Sequence, residues 1–288
     1  MERSTGWPVP IAHIKSMNTE SAAHRLAHTA AARLAQAEHL IVDLDGTLIR
    51  EHEVLAGAAQ LLRRFDGRYV VVSNNSTHSP DSLSRKLHRM GLKVAPQALV
   101  LAGEQTLAYL RREHPKARIF LSGSRALQQM ALAMGCDLVR DEAEVVVLAL
   151  DPHFNVARLT HIVNQLRRGA LLVVANADAT HPGPRGSVVP QTGALLAAVR
   201  TASGVAPHRI IGKPGPLLLA EGMRRLSARA DGCVLIGDNP DTDGLGARAM
   251  GMACILVGAH ERADVPELAA LWRPAVVSGA AESCLSSV

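Results

Sequence analysis

Nine short apolar runs, separated by stretches with helical patterning, restrict the possible folds of this chain more than any other feature. The runs fall at residues 40–44, 69–73, 98–101, 117–121, 145–150, 170–175, 209–211, 233–236 and 253–257. Between them lie helix-like stretches at 80–90, 104–112, 125–134, 156–168, 193–202, 216–228 and 243–250. Leu83, Leu87 and Met90 recur at helical spacing, with Arg85, Lys86 and Arg89 between them. Residues 20–37 read as a further alanine-rich amphipathic helix leading into the first strand. Strands that alternate with helices form βαβ units, so the expectation is an α/β protein with a mainly parallel sheet.

Such a sheet binds ligands beyond the carboxyl ends of its strands. The residues that follow each apolar run are therefore the ones to inspect. The run HLIVDLDGTLI, residues 39–49, carries its apolar strand straight into Asp43 and Asp45 and a Gly-Thr turn. Ionised acids at the edge of an apolar element need a cation, a proton or hydrogen-bond donors to offset their desolvation. The two acids lie on the same side of an extended chain, so one hard divalent cation can take oxygen from both. After 69–72 comes Ser73-Asn74-Asn75-Ser76, after 209–211 comes Gly212-Lys213-Pro214, and after 233–236 comes the run Gly237 to Asp243.

Together these strand ends supply what metal-assisted phosphoryl transfer requires. Asp43 is placed to attack phosphorus as a carboxylate, and Asp45 to protonate the leaving oxygen. Ser73 and the neighbouring amides can donate to phosphoryl oxygens, and Lys213 can neutralise charge. Asp238 can complete a Mg²⁺ site with Asp43, and Asp243 can hold metal-bound waters or the lysine. Taken singly, each element has a plainer reading. Asp-Gly favours a tight turn, Ser-Asn-Asn-Ser a helix cap, Lys213 a surface position, and 237–243 an acidic turn. Their order, each after its own strand, argues for one site.

Composition narrows the alternatives. A length of 288 residues suits about two domains. The aromatics are Phe65, Phe120, Phe154, Tyr69, Tyr109, Trp7 and Trp272, too few for the stacking platforms of a single-stranded nucleic-acid binder. A net charge of +5, dispersed along the chain, suits small anionic substrates and no nucleic acid. The histidines are scattered and read as ordinary surface or structural residues. Cys136, Cys233, Cys254 and Cys284 form no CxxC pair, which points to a reduced, cytoplasmic setting without a zinc site. No apolar run is long enough to span a membrane. The first 18 residues lack the apolar core of a secretory signal and are expected to form a disordered extension, an organellar address remaining open.

In its motifs the chain resembles the phosphatases of the haloacid dehalogenase superfamily. Their pattern of an apolar strand with DxDGT, a strand ending in Ser or Thr, a lysine, and GDxxxTD appears here in that order. The resemblance covers residues 38–260. It implies catalytic roles for Asp43, Asp45, Ser73, Asn74 and Lys213, with Gly46 and Asn75 as substrate contacts. The implied Mg²⁺ site uses the Asp43 side chain, the Asp45 backbone carbonyl and Asp238, with Asp243 beside it. Asp45 is the acid that true dehalogenases of the superfamily lack, so phosphate chemistry is implied.

Residues 46–72 are too few to hold a cap, whereas the much longer segment between Ser73 and Lys213 can. With SNNS, GKP and GDNPDTD, this layout resembles the NagD-type, class IIA group, which includes 4-nitrophenyl, phosphoglycolate and pyridoxal phosphatases. The implied fold is a Rossmann-like parallel-sheet core with an inserted α/β class II cap domain of the A subtype. The implied division is an extension at 1–38, core at 39–115, cap at 116–207 and core again at 208–288. The stretch 175–186 corresponds to the substrate-specificity loop, where Asp178, His181 and Arg185 offer contacts to a leaving group. Asp151-Pro152-His153 is a second loop to watch, with a structural role the simpler reading. The implied activity is hydrolysis of a small phosphorylated metabolite through phospho-Asp43 by a homodimer. A phosphotransferase using the same intermediate and a non-catalytic module on the same fold are the alternatives.

Overall fold

The computed structural model describes residues 25–183 and 187–272. The expected disordered extension, Arg185 and Cys284 lie outside them. The chain enters through a helix at 25–36 (α1) and strand β1 (His39–Val42), then a small ribbon of β2 (Ile49–Arg50) and β3 (Glu53–Val54). Helix α2 (Ala58–Arg64), β4 (Tyr69–Ser73), α3 (Pro80–Arg89), β5 (Leu99–Leu101) and α4 (Ala102–Glu113) follow. The middle of the chain holds β6 (Arg118–Ser122), α5 (Arg125–Ala133), β7 (Asp137–Leu138), β8 (Val145–Leu148), α6 (Val156–Arg167) and β9 (Leu171–Val174). Next come β10 (Thr180–Pro182), β11 (Val188–Pro190), α7 (Thr192–Ser203) and β12 (Arg209–Ile210). The last elements are α8 (Pro216–Leu226), β13 (Cys233–Gly237), a wide helical turn at Pro240–Gly244, α9 (Leu245–Ala249) and β14 (Ala253–Leu256).

Two parallel five-stranded sheets result, ordered β14-β13-β1-β4-β5 and β12-β9-β8-β6-β7. The α/β class read from the alternation is the one observed. Side-chain alternation along the strands explains the layering. Leu40, Val42, Val71, Val234 and Ile236 face one side of the first sheet, under Ala30 and Leu34 of α1, Leu61 of α2 and Leu83 and Leu87 of α3. Ile41, Val70, Val72 and Leu235 face the other side, with Leu107 and Leu110 of α4 and Leu218 and Leu219 of α8. That second layer continues through Leu127 and Ala131 of α5 to Ile119, Val145, Val147 and Val173 of the second sheet. One apolar layer is therefore shared by both sheets. Helices α6 and α7 cover the far face of the second sheet through Ile162, Leu166, Leu196 and Val199.

Two features depart from the simple strand-helix reading. Residues 180–182, expected within a loop, form an antiparallel ribbon with 188–190. Its prolines are tolerated because a two-stranded ribbon leaves one side of each strand without a ladder to complete. Strand β12 pairs with β9 of the second sheet, Arg209 with Val173 and Ile210 with Val174. Lys213 therefore leaves the end of a strand on the second sheet and reaches across to the first.

Candidate active site

Strand β1 ends where the acids begin. The Asp43 N–H still donates to Ile236 O at 2.8 Å, which fixes the backbone at the sheet's carboxyl edge beside β13. From there the Asp43 carboxylate meets the Lys213 ammonium at 2.5 Å. The same ammonium donates to Asp243 Oδ1 at 2.7 Å, and Asn239 N–H donates to Asp243 Oδ2 at 3.2 Å. Asp243 is positioned by the wide turn after β13, where both Asp243 N–H and Gly244 N–H donate to Asn239 O. Thr47 Oγ1 donates to Asp43 Oδ2 at 3.2 Å. Asp43, Lys213 and Asp243 are all buried.

One ligand oxygen from each of Asp43, Asp238 and Asp243 falls within 4.8 Å of the others. Three carboxylates against one ammonium leave an excess of negative charge in a desolvated place. Burial pushes the Asp43 carboxyl well above its usual range, with the Lys213 charge opposing. Burial, then the Asp243 charge, pushes Asp238 up to about 6. Burial acts against the Lys213 ammonium, yet Asp243 and Asp43 outweigh it and hold its pKa above the ordinary value. A hard divalent cation would relieve this excess, and an all-oxygen donor set is the kind it prefers. Asp43 and Asp243 each accept hydrogen bonds on both carboxylate oxygens, Asp43 from Lys213 and Thr47 and Asp243 from Lys213 and the Asn239 N–H. Gly46, at φ +89°, permits this crowding: a Cβ there would sit 2.6 Å from Asp238 Cγ.

Asp45 stands apart from this cluster. Its side chain is 37% exposed and lies 3.9 Å from His181 Nε2 of β10. Ser73 is buried at the end of β4, and its Oγ accepts from Asn75 N–H at 3.1 Å, leaving its own proton free to donate. Asn74 joins several elements. Its Oδ1 accepts from Lys213 N–H at 2.8 Å, and its Nδ2 donates to Asp178 Oδ1 at 3.0 Å and Lys213 O at 3.3 Å. Gly212 allows this approach, since a Cβ would meet Asn74 Oδ1 at 2.5 Å. Burial raises the pKa of Asp178, and the Asn74 bond partly offsets it.

The remaining expected contacts divide. Asn75 turns its Oδ1 inward to accept from the N–H groups of Thr77 and His78, both at 3.0 Å, and so shapes the loop. Asp151 is buried, accepts from Ser122 Oγ at 2.9 Å and pairs with Arg158 at 3.2 Å, a structural role. Three residues enter that the motifs did not single out. Asn176 donates to Asn74 O at 2.8 Å, and the Nε2 of His260 lies 3.0 Å from Asp238 O. His78 follows the Ser-Asn-Asn-Ser string, and burial, then the Lys86 charge, lowers its pKa against the opposing charge of Asp45. Thr47 was legible only as part of the turn after Asp45.

Comparison with known proteins is consistent with this geometry. The haloacid dehalogenase-like hydrolase family matches residues 40–137, and the HAD-hydrolase-like family matches 210–281. A D-glycerol 3-phosphate phosphatase of Mycobacterium tuberculosis is 34% identical over 76% of this chain, and that match spans 62% of the relative's own length. A crystal structure of the M. tuberculosis glycerol phosphate phosphatase with magnesium is 31% identical, at a TM-score of 0.74 over 83% of this chain and 78% of that one. A second crystal structure, of that phosphatase with calcium, superposes at a TM-score of 0.75, also 31% identical, over 84% of this chain and 76% of that one. The 4-nitrophenylphosphatase of Thermotoga maritima is 28% identical, at a TM-score of 0.75 over 83% of this chain and 97% of that one.

Proposed function

The chain belongs to the haloacid dehalogenase-like hydrolases, in their class IIA phosphatase branch, and from that premise we propose that it hydrolyses glycerol phosphate or a small sugar phosphate through phospho-Asp43. The observation that carries this reading is the Lys213 ammonium seated between Asp43 and Asp243, beside Asp238. Its charge opposes the burial that favours protonation of the Asp43 carboxyl and adds positive charge where a phosphoryl group would dock. The inserted cap is taken as residues 116–207, with β12 extending its sheet.

In the proposed reaction an Asp43 oxygen bonds to phosphorus while the bond to the leaving oxygen breaks and Asp45 protonates that oxygen. Water then attacks phospho-Asp43, Asp45 takes its proton, and phosphate leaves with the Asp43 carboxylate restored. Ser73 Oγ–H and loop N–H groups donate to the phosphoryl oxygens. Asp178 and His181 contact the leaving group from the cap. Magnesium, held by Asp43, Asp238 and the Asp45 carbonyl, supplies positive charge against the phosphoryl oxygens when bound.

The same reading places a homodimer in the cytoplasm. Cys136, Cys233 and Cys254 are free thiols, which suits a reducing compartment, and exposed Val188 and Val189 on the cap ribbon offer apolar surface to a second copy. The test is phosphate release from a panel of phosphomonoesters with Mg²⁺ and with chelator. Turnover with Mg²⁺, absent in Asp43→Asn, is expected. A panel with no phosphate released, or an Asp43→Asn variant that still turns over, would end the proposal.

A further inference from the structure

Lys213 fastens the carboxylates of Asp43 and Asp243 directly, and among the described residues no ion pair does the same for Asp238. The position of Asp238 is therefore set by its main chain. The β13–β14 ladder stops one residue short of it, with Val257 N–H donating to Gly237 O at 2.8 Å. The Asp238 carbonyl is held instead by a side chain, His260, whose Nε2 lies 3.0 Å away. Among the described residues no other donor reaches that oxygen. A carbonyl only accepts, so Nε2 carries the hydrogen. The other ring nitrogen, Nδ1, is buried and has no hydrogen-bond partner among the described residues. That is unfavourable, and an apolar side chain would avoid it; the bond to Asp238 is what offsets it.

We propose that His260 is a positioning residue for the metal site, holding the main chain at Asp238 so that its carboxylate is in place beside Asp43 before an ion binds. The assignment rests on the phosphatase reading, in which Asp238 is a magnesium ligand. The segment that carries His260 is itself tied down. Gly258 N–H donates to Val265 O and Ala263 N–H to His260 O, both at 3.0 Å. The Asp264 carboxylate accepts from Leu256 N–H at 2.9 Å and from Arg33 of α1 at 3.2 Å. Gly258 makes room for the ring: at its φ of +146° a Cβ would lie 3.2 Å from His260 Cδ2 and 3.5 Å from Nε2. Gly46 confines the Asp238 carboxylate from one side, and His260 confines the backbone that bears it. A ligand already in place spends less of its binding free energy on ordering. Nε2 keeps its hydrogen in the neutral ring and in the imidazolium alike, so the role does not depend on titration.

The test measures Mg²⁺ binding by calorimetry, with the melting temperature in chelator reporting on folding apart from the ion. His260→Phe and His260→Leu remove the donor with and without a ring; His260→Gln keeps an amide N–H near the Nε2 position. The dissociation constant should rise about tenfold in the Phe and Leu variants and return to within about threefold of wild type in the Gln variant. Arg262→Ala breaks the exposed 3.1 Å pair between the same segment and Asp241, and should leave the constant unchanged. Unchanged binding in both donor-less variants, or a loss that Gln does not restore, would mean a structural role and would overturn the assignment. An equal loss in Arg262→Ala would overturn it too, since any loosening of the segment would then suffice. Asp238→Asn separates this failure from that of the underlying reading. If it binds Mg²⁺ as the wild type does, or the wild type binds none, Asp238 is no ligand and both fall.

Discussion

Asn74 and Asp178 are joined by a 3.0 Å hydrogen bond, Nδ2 to Oδ1, that crosses from the loop after β4 to the loop before β10. The same amide accepts from Lys213 N–H, so a single side chain ties Lys213 to the loop before β10. The placement of Lys213 and of that loop therefore depends on the same residue.

Asn74→Ala is expected to lower stability by about 2 kcal/mol, since it leaves the Lys213 N–H and the Asp178 carboxylate without their partner. The Lys213 backbone also loosens, so kcat/KM should fall at least about tenfold. A double-mutant cycle with Asp178→Ala, read by urea unfolding, should give a coupling of about 1 kcal/mol. Strictly additive effects would show that the bond contributes nothing to either property.

Lys213→Met removes the only cation in contact with Asp43 and Asp243 among the described residues. Breaking a buried pair on one side is strongly destabilising, by about 3–5 kcal/mol, because carboxylates are left uncompensated. Turnover should be lost. Added Mg²⁺ should recover part of the stability and none of the activity. A variant as stable as the wild type in chelator would mean that the carboxylates are already neutral.

Mg²⁺ should raise the melting temperature of the wild type, and chelator should reverse the shift. At a concentration of about 100 times the dissociation constant, the gain is about 2.7 kcal/mol. Asp238→Asn removes one ligand and should abolish most of the shift. Gly46→Ala should do the same for a different reason, because a Cβ would drive into the Asp238 carboxylate and φ is +89°. An undiminished shift in both variants would place the ion elsewhere.

Glu221 accepts from Arg225 at 2.8 Å and from Arg224 at 2.7 and 2.8 Å, and Arg225 also donates to Gln97 O, Leu99 O and Glu104. The Arg224 hydrogen bond, acting against burial and joined by Arg225, lowers the Glu221 carboxyl from 4.5 to about 2. A carboxyl depressed in the folded state binds fewer protons there, so its contribution is full above about pH 4.5 and is lost as pH falls towards 2. Because solvent screens the Arg224 side of this pair, the Glu221 contribution is discounted to about 1 kcal/mol. Glu221→Gln should lower stability by that amount at pH 7 and flatten the acid limb of the stability profile.

How much of this was readable in advance differs by residue. Val42 with Asp43, and Ile236 with Asp238, announce themselves because an apolar strand that runs into acids is a local pattern. Lys213 was placed in order, but its sheet was not readable: Arg209 and Ile210 form too short a strand to reveal that β9 is their neighbour. The 180–182 ribbon was hidden because its period is broken by proline, and Pro182 gives no strand signal. Asp243 reaches Lys213 only through the wide turn at Pro240–Gly244, whose i+5 hydrogen bond has no sequence signature.

Asp45 provides the sharpest test of the mechanism, because its carboxylate lies outside the three-carboxylate cluster and faces His181 at 3.9 Å. A group that only bound metal would affect all substrates alike. A general acid matters in proportion to how badly the leaving oxygen needs a proton. Asp45→Asn preserves size and the backbone carbonyl but cannot give the proton. It should therefore slow alkyl phosphate turnover by about 10²–10⁴-fold, the usual contribution of such catalysis. 4-Nitrophenyl phosphate has a leaving group stable as an anion and should lose far less in the phosphorylation step. Burst kinetics with that ester should then show phospho-Asp43 accumulating, since in the proposed reaction Asp45 is also the base for the hydrolytic water. Equal losses on both esters, without a burst, would move Asp45 from proton transfer to a purely electrostatic or structural role.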